Sequence, residues 1–337
     1  MPCRPGPCRR TLKGIDHTSH ESERAMTTTP VVLAADGTPS SEGALRYAVQ
    51  EAVARRAGLR IVHVNPMGMP VPPLRPMPAF RPPVPSGLSM HARTVLERTA
   101  EEALDLAPDL AVSTVLAEGG RVRGIVDGAA DAQLVVVGRE TRHGMERVLT
   151  GATTAGVASH ARCPVVVVPG DWQPRTSADG GGDVVVGIRR ADDAAALMTA
   201  AYAWAMPRGA SITVVHAWEL PDPYLDRIEG RTHADEWQAL GGELLDEALA
   251  DWQDHPDVAV KTRVVHGHAA SVLVAAANAA DLVVVRRAHE HRPFDHLGAT
   301  VRAVLLASPA PVEVVPAHVS PQRSTEVVVE QSGGTAT

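Results

Sequence analysis

The stretch LVVVGRETRHGMERVLTGATTAGVASHARCPVVVVP, residues 134–169, decides which fold the chain adopts. It contains a short apolar strand (Leu134–Val137), a glycine-punctuated basic loop, a helix of small residues and a second apolar strand (Val165–Val168). Valine runs without alternating polar residues are typical of strands that are covered on both faces, as in parallel sheets. The stretch therefore predicts a strand–helix–strand unit of a parallel sheet.

The loop between these strands, from Gly138 to Gly151, has features that an anionic ligand needs. Its terminal glycines permit close backbone approach, and Gly151-Ala152-Thr153 is predicted to present free amides at a helix start. Positive charge comes from Arg139, Arg142, His143 and Arg147. The same residues also fit a solvated, basic connection between strand and helix, because a few glycines do not specify a phosphate site.

The organisation around this stretch occurs twice in the chain. Upstream of it, Val31–Ala35, Leu59–Val64 and Leu110–Leu116 are predicted strands separated by helices. Downstream, five landmarks recur in the same order: Val184–Ile188, Ile212–Trp218, Gly267, Leu282–Val285 and Pro311-Val312. The repeat predicts two α/β domains, each a doubly wound parallel sheet that binds ligands beyond the carboxyl ends of its strands.

Composition shifts predict the domain boundaries. Residues 1–29 are predicted to be a disordered leader, or an over-extended start with Met26 as the initiator. The first domain is predicted over 30–170, a Gly/Pro/Asp/Ser linker over 171–182, the second domain over 183–316 and a disordered tail over 317–337. Asn65–Gly87 is too rich in proline for regular structure and is predicted to be a mobile surface loop.

Charge and composition disfavour several classes of partner. The net charge is −7 and no long basic stripe is present, so no nucleic-acid partner is expected. No apolar run reaches membrane-spanning length, and no membrane partner is expected. Cys3, Cys8 and Cys163 are an odd set without metal-ligand spacing, which favours a reduced, cytoplasmic protein with no metal site of its own.

Five sequence elements resemble those of the universal stress protein family, here in tandem. They are Val31–Thr38, His63-Val64, Glu118-Gly119, the loop Gly138…Gly151-Ala152-Thr153, and Cys163-Pro164-Val165-Val166. The resemblance covers nearly all of 30–316. It implies two five-stranded sheets of the adenine nucleotide alpha hydrolase type, with strand order 3-2-1-4-5, paired within the chain as a pseudo-dimer. It leaves open whether the chain also forms a homodimer.

The resemblance implies an adenine nucleotide as ligand, with ATP in the first domain and magnesium only together with the nucleotide. Asp36, with Gly37 and Thr38, and the backbone of Val64 would hold the nucleoside. The phosphates would lie on the loop that Gly138 and Arg139 open and that Gly151, Ala152 and Thr153 close.

This loop departs from the family pattern at two positions. Thr141 replaces a glycine, which costs about 1 kcal/mol or more if the backbone there needs a positive φ. Ala152 replaces a hydroxyl residue, so that Thr153 stands one place late, and the lost hydrogen bond costs roughly 1.5–3 kcal/mol. Together these changes weaken nucleotide binding by about two orders of magnitude or more without abolishing the site.

The second domain departs further from the pattern. Arg189-Arg190-Ala191 replaces Asp36-Gly37-Thr38, so the nucleoside carboxylate is missing, and Arg286 and His289 replace two loop glycines. ATP binding is therefore not expected there. The arginines and histidines near these positions are predicted to be a charged surface, with an anion site of another kind as the alternative.

No catalytic residues are predicted, and the chain is not expected to be an enzyme, although weak ATP hydrolysis stays open. His63 and His216 end apolar strands and are predicted to be structural, and Cys163 is predicted to be a packed thiol. The leading hypothesis is a stress-response binding and regulatory module. The alternatives are a scaffold or partner-docking protein without nucleotide, and a very slow ATPase.

Overall fold

The computed structural model describes residues 27–65, 86–140, 147–175, 182–252, 257–288 and 297–316. Several sequence predictions fall outside the described residues: the leader up to residue 26, the proline-rich segment 66–85, Thr141 and the tail from residue 317.

Strands and helices alternate through the first half of the chain. In order they are β1 (Thr27–Ala34), α1 (Ser40–Ala54), β2 (Ala57–Asn65), α2 (Ser86–Leu106), β3 (Val112–Glu118), α3 (Arg121–Gly128), β4 (Leu134–Arg139), α4 (Arg147–His160) and β5 (Val165–Pro169).

The second half repeats this order and adds one helix. Its elements are β6 (Asp183–Gly187), α5 (Ala194–Ala205), β7 (Ser211–Trp218), α6 (Pro223–Thr232), α7 (Ala234–Ala248), β8 (Val260–His266), α8 (Ala269–Ala277), β9 (Leu282–Arg286), α9 (Ala299–Ala307) and β10 (Val312–Val315). A 3-10 turn, Ala191–Asp193, precedes α5, and another, Met206–Arg208, follows it.

The strands form one continuous ten-stranded sheet in the order β3-β2-β1-β4-β5-β10-β9-β6-β7-β8. Within each half the pairing is parallel and follows the order 3-2-1-4-5, so the predicted fold class is confirmed. The halves meet where β5 and β10 pair antiparallel, with Val166 opposite Glu313. An antiparallel contact between equivalent edge strands has the self-complementary geometry of a two-fold interface.

The valine runs explain why helices cover both faces of the sheet. Successive side chains of a strand point to opposite faces. Val31 and Leu33 pack in a core with α1, α5 and α7, whereas Val32 packs in a second core with α3, α4, α8 and α9. Both cores extend through both halves, so the junction is part of the hydrophobic interior.

Two arginines at equivalent positions fasten the halves together. The Arg139 guanidinium at the end of β4 donates to the carbonyls of Leu306 and Ser308 at the end of α9, at 2.7 and 2.6 Å. Arg287, just after β9, donates at the end of α4 to the carbonyls of Ser159 and Ala161, both at 2.9 Å. Each half therefore uses an arginine to satisfy the last carbonyls of a helix in the other half.

The end of α1 differs from the sequence prediction. A glycine that follows a helical pattern predicts the end of the helix, and Gly58 follows the apolar pattern of α1, but Gly58 lies inside β2. The left-handed residue is Arg56, with φ 51°, and its amide bonds the Val53 carbonyl. The stop thus comes two residues earlier than expected, at a residue type that rarely adopts positive φ.

The repeat predicts that Tyr224–Thr232 is a shorter counterpart of the irregular proline-rich segment, but it belongs to the helix α6 instead. Asp222 caps it, because its carboxylate accepts from the amides of Tyr224 and Leu225 at 2.8 and 3.0 Å. Pro223 occupies the first helical position, where its missing N–H is not needed.

Candidate functional site

The carboxyl ends of β1 and β4 lie side by side at one edge of the sheet, because the two strands pair directly. Asp36 follows the first strand, and Gly138 lies at the end of the second. A β-carbon built on Gly138 would stand 2.4 Å from the carbonyl oxygen of Ser40. Only glycine permits this approach, so Gly138 brings the start of α1 against the end of β4.

Asp36 is held by the turn that follows it. Its Oδ1 accepts from the Thr38 amide at 3.0 Å, from the Thr38 hydroxyl at 2.7 Å and from the Ser41 hydroxyl at 2.6 Å. Serine is a common helix cap, so the sequence predicts that Ser40 or Ser41 caps α1. The N-cap position of α1 is instead Pro39, without a side-chain cap bond, and Ser41 serves the carboxylate.

The surroundings of Asp36 favour its ionised form. Burial opposes ionisation, but the hydrogen bonds from Ser41 and Thr38 and the positive charge of Arg121 outweigh it, and the pKa of Asp36 lies below its ordinary value. No group in the described part of the chain donates to Oδ2. The site thus offers an ionised carboxylate with one oxygen available to accept hydrogen bonds, such as those of ribose hydroxyls.

Gly37 gives the turn its shape. Its φ is +76°, which residues with a side chain rarely adopt, and an added β-carbon would stand 2.8 Å from Val95 of α2. The turn therefore brings Asp36 and Thr38 together and packs closely against the neighbouring helix.

Val64 lies near the carboxyl end of β2, where the family pattern places a nucleoside-holding backbone. Its side chain is buried against Gly124 of α3, so any contact with a ligand must come from its main chain. The preceding His63 is buried, and its Nδ1 lies 2.8 Å from the Ala35 carbonyl. His216 makes the equivalent contact with the Ile188 carbonyl at 3.0 Å, which agrees with a structural role for both histidines.

The closing part of the predicted phosphate loop lies differently from the expectation. Helix α4 begins at Arg147, so Gly151, Ala152 and Thr153 are inside the helix rather than at its first turn. Ala152 is exposed and Thr153 is half-buried. The first-turn amides, which have no partner within a helix, therefore belong to residues 147–150.

Arg139 was predicted to face the phosphates, and its nucleotide role stays a prediction. Its guanidinium is engaged with α9, across the junction between the halves. Its position at a strand end could be predicted from the sequence, but its acceptors could not, because they are carbonyl groups of a helix about 170 residues away. These carbonyls can satisfy an arginine without any ligand.

The second half carries the opposite charge at the position of Asp36. Arg189 follows β6 and is exposed, and Arg190 forms a short contact with Asp192. Arg286 takes the place of Gly138, and its Nε lies 3.2 Å from an oxygen of Asp193. The room that Ser40 fills in the first half thus holds an ion pair in the second.

These residues border a cleft of about 800 Å³ at the carboxyl ends of β6, β7 and β9. Arg189, Arg190, Arg286 and Arg287 lie on its wall, together with the first turn of α9. Four arginines of the predicted charged surface, Arg189, Arg190, Arg286 and Arg287, thus lie together at one sheet end and border a concavity. His289, His291 and Arg292 lie outside the described residues.

Two contributors to the first site were missed at the level of sequence. Ser41 was assigned to helix capping, and Arg121 was not connected with Asp36. Arg121 begins α3, just after the carboxyl end of β3, and the rule that strand ends converge at one sheet edge could have indicated it.

Other chemistry finds little support among the described residues. They contain no group of three or more histidine, cysteine or acidic side chains that could hold a metal ion. Burial raises the pKa of the Cys163 thiol to about 11, which is typical of a packed cysteine rather than a nucleophile. In the same part of the chain, no helix is both long and apolar enough to cross a lipid bilayer.

With the sheet, its carboxylate turn and its repeated architecture established, the chain can be compared with known proteins. The model of the universal stress protein family matches it twice, over residues 27–169 and 182–316. The chain belongs to the universal stress protein family. The two matches correspond to the two halves of the ten-stranded sheet, so this member is a tandem one.

Relatives of similar length confirm the tandem arrangement. The chain is 30% identical over 292 residues to a universal stress protein of Mycolicibacterium smegmatis, covering 85% of this chain and 96% of the relative. It is also 30% identical over 301 residues to one of Mycobacterium tuberculosis, covering 84% and 94%. Both alignments run through both halves.

Solved structures support the same fold. A universal stress protein from Archaeoglobus fulgidus superposes with a TM-score of 0.61 at 16% identity, covering 86% of this chain and 99% of that one. A putative universal stress protein from Pseudomonas aeruginosa superposes with a TM-score of 0.52 at 16% identity, covering 86% and 94%. At these identities the likeness concerns the fold alone.

Proposed function

We propose that this universal stress protein is a stress-response binding module whose first half binds an adenine nucleotide and whose second half does not. The observation that carries the proposal is the state of Asp36. Its carboxylate is kept ionised at the end of β1, and one of its oxygens receives no hydrogen bond from any described group. A ribose presents hydroxyl donors that such an oxygen can accept.

The nucleotide would lie across the carboxyl ends of the first half's central strands. Asp36, with Gly37 and Thr38, would hold the ribose, and the main chain of Val64 would contact the base. Gly138 would allow the phosphates close to the backbone, and the first-turn amides of α4 would face their charge. Thr153 would supply a hydroxyl from inside the helix, in place of the one lost at Ala152.

The residues fit this ligand in part. The carboxylate and the glycine at the end of β4 match the family pattern. The late Thr153 and the engagement of Arg139 with α9 remove two favourable contacts with phosphate. We therefore expect binding that is weak for the family, with the nucleoside end contributing most of the affinity. A magnesium ion would be held mainly by the phosphates, since three potential protein ligands are nowhere grouped among the described residues.

Titration calorimetry with Asp36→Asn tests the proposal. The asparagine Oδ1 still accepts from Thr38 and Ser41, so the turn is retained, but an NH₂ donor replaces the accepting Oδ2. We expect ATP affinity to fall at least tenfold. Asp105→Asn is the matched control. It removes the same charge from an exposed position of α2 and should bind ATP like the wild type.

Partner docking without nucleotide is the second candidate. It is favoured by the fact that Asp36 Oδ1 already accepts three hydrogen bonds from its own turn, which gives the aspartate a structural role without a ligand. Under this alternative, neither ATP nor magnesium-ATP gives heat at millimolar concentration, and Asp36→Asn changes nothing but stability.

A further inference from the structure

The second half contains a cleft that the proposed function leaves without a ligand. It has a volume of about 800 Å³ and lies between the first turns of α8 and α9, above the ends of β6, β7 and β9. Its floor is apolar and buried, made by Ile188, Val215, Leu273, Val285 and Leu297. A concave site with an apolar floor and a few charged groups at its rim is the usual form of a small-molecule pocket.

The charge at the rim is the reverse of that in the first half. Asp36 and the nearby Arg121 are replaced by Arg189 and Ala269, which both border the cleft. A guanidinium has five donors and no acceptor, so it cannot take the hydroxyl hydrogens of a ribose. It can form two parallel hydrogen bonds with a carboxylate or phosphate. The end that would hold a nucleoside in the first half thus selects an anionic group in the second.

The other charged side chains of the described lining already have partners. Arg190 pairs with Asp192, and Arg286 pairs with Asp193, the acidic residue among the described lining. Arg287 is committed to the end of α4. Arg189 has no acceptor within the described ranges. An incoming anion therefore meets an available guanidinium, while the negative charge of Asp193 is balanced by Arg286.

The opposite wall is compatible with negative charge. Gly298, with φ 74°, is the residue directly before α9, and Ala299 and Thr300 of the first turn border the cleft. The positive end of the helix dipole lies at this turn. Helix α9 therefore starts directly after Gly298, the counterpart of Gly151, whereas α4 starts four residues before Gly151.

We propose that this cleft binds a small organic anion with an apolar body, whose carboxylate or phosphate group pairs with Arg189 and whose body covers the apolar floor. The ligand is not a nucleotide, since Arg189 stands in place of the aspartate that would hold a ribose, and the carboxylate of the described lining, Asp193, is already paired with Arg286. This site is independent of nucleotide binding in the first half, and neither proposal needs the other.

Calorimetry on the full chain with four probes tests the chemistry of the ligand. Hexyl phosphate and heptanoate combine an apolar body with an anionic group, while inorganic phosphate and hexanol each carry one of the two features. We expect at least one alkyl anion to bind at least tenfold more tightly than inorganic phosphate and hexanol, and the stronger of the two identifies the anionic group. If neither alkyl anion binds at millimolar concentration, or if inorganic phosphate binds equally well, the proposal is wrong.

Variants locate the binding. Arg189→Gln should weaken the better alkyl anion at least tenfold, whereas Arg93→Gln, an equal loss of charge on exposed α2, should not. Ala269→Phe fills the cleft from the start of α8 and should block binding, with a thermal melt confirming that the variant folds. Equal affinity in Arg189→Gln and the wild type would overturn the proposal. So would displacement of the alkyl anion by ATP in Asp36→Asn, which retains the second cleft unchanged.

Discussion

Asp36 and Arg189 stand at equivalent points of the repeat and give the two halves opposite charge where a ligand would enter. Both follow a central strand whose core is built from the same valine pattern. In the first half the turn from Asp36 to Ser41 stabilises a negative charge, and in the second the carboxylates are taken up by Arg190 and Arg286. The two halves of one sheet thus carry opposite charge at equivalent strand ends.

The Ser41 hydroxyl should stabilise the protein through the charge of Asp36. A carboxyl whose pKa is lowered by folding adds stability above its ordinary value of 3.8, and this stability is lost as the pH falls through the lower folded pKa. We expect Ser41→Ala to lower the free energy of unfolding by about 1 kcal/mol at pH 7, with the loss fading below about pH 4.

Urea unfolding across pH 2–8 measures this effect. Ser159→Ala is the matched control, because its hydroxyl donates to the neutral carbonyl of Ala155 at 2.7 Å. The control should change stability equally at every pH. A pH-independent loss in Ser41→Ala would show that Asp36 is not the group that the serine serves.

At the scale of single residues, the chemical group at a given place in the fold could be predicted better than its hydrogen-bond partners. The Asp-Gly-Thr motif indicated a carboxylate at a strand end, and the structure confirms its position. The same sequence did not reveal that Ser41 would donate to Asp36 rather than cap α1, or that Arg139 would reach α9. Several acceptors compete for each donor, and the outcome depends on tertiary distances that no local pattern encodes.

At the scale of elements, the close contact between α1 and β4 depends on a glycine, Gly138, which has no side chain. A β-carbon on Gly138 would press on the Ser40 carbonyl at 2.4 Å. At the equivalent position of the second half, Arg286 pairs with Asp193 just before α5. The start of α1 and the end of β4 are therefore held in close contact beside Asp36.

We expect Gly138→Ala to destabilise the fold by about 1–3 kcal/mol, because backbone on both sides must move. Gly242→Ala is the contrasting variant. Gly242 lies in α7 with no atom within 4 Å of an added β-carbon, and the substitution should stabilise the helix by about 0.5–1 kcal/mol. Thermal unfolding of both variants measures the difference, and equal melting temperatures would contradict the close contact.

Strand β10 carries an acidic residue in the interior. Glu313 is buried between β5 and β9, and its Oε2 has no hydrogen-bond partner in the described part of the protein. Burial raises the pKa of Glu313 to about 7, against the attraction of Arg55 and with further repulsion from Glu51. The folded state therefore holds this proton more tightly than the unfolded chain does.

Stability should consequently fall as the pH rises from 4.5 to about 7. Glu313→Gln removes this dependence, so its stability relative to the wild type should increase by roughly 3 kcal/mol between pH 4 and pH 8. Glu97→Gln, on an exposed position of α2, should follow the wild type. Parallel stability curves for Glu313→Gln and the wild type would contradict the buried, protonated state.

Strands were predictable and helix starts were less so. Runs such as Leu134–Val137 and Leu282–Val285 are apolar on both faces, which few structures other than a covered parallel strand accommodate. Helix α6 was missed because its segment was interpreted as a shorter counterpart of the proline-rich segment, although Asp222 before a proline is a recognisable cap. The start of α4 was predicted at Gly151-Ala152-Thr153, where free amides would suit an anionic ligand, but the helix begins at Arg147.

At the scale of the whole molecule, the repeat becomes a single sheet. The sequence predicted two equivalent domains paired within the chain. It did not predict that edge strands β5 and β10 would join antiparallel, because edge pairing leaves no local pattern. Nor did it predict that Arg139 and Arg287 would each donate to a helix end in the other half, because these contacts depend on the final two-fold geometry.

The hydrogen bonds that Arg139 and Arg287 donate across the junction should stabilise the contact between the halves. We expect Arg139→Ala and Arg287→Ala each to lower the free energy of unfolding by about 1–3 kcal/mol, because each leaves helix carbonyls without a charged donor. Urea unfolding provides the measurement, and Arg93→Ala on exposed α2 is the control. Wild-type stability in both variants would show that water replaces these bonds without cost.

The stoichiometry of ATP binding tests the central claim most directly, because the claim divides the chain into one nucleotide site and one site of other chemistry. Calorimetric titration of the full chain with ATP should give one site with a micromolar dissociation constant, which corresponds to a binding free energy of about −8 kcal/mol. Asp36→Asn should abolish or greatly weaken it, and Arg189→Gln should leave it unchanged. Two sites per chain, or no heat at millimolar ATP, would contradict this division.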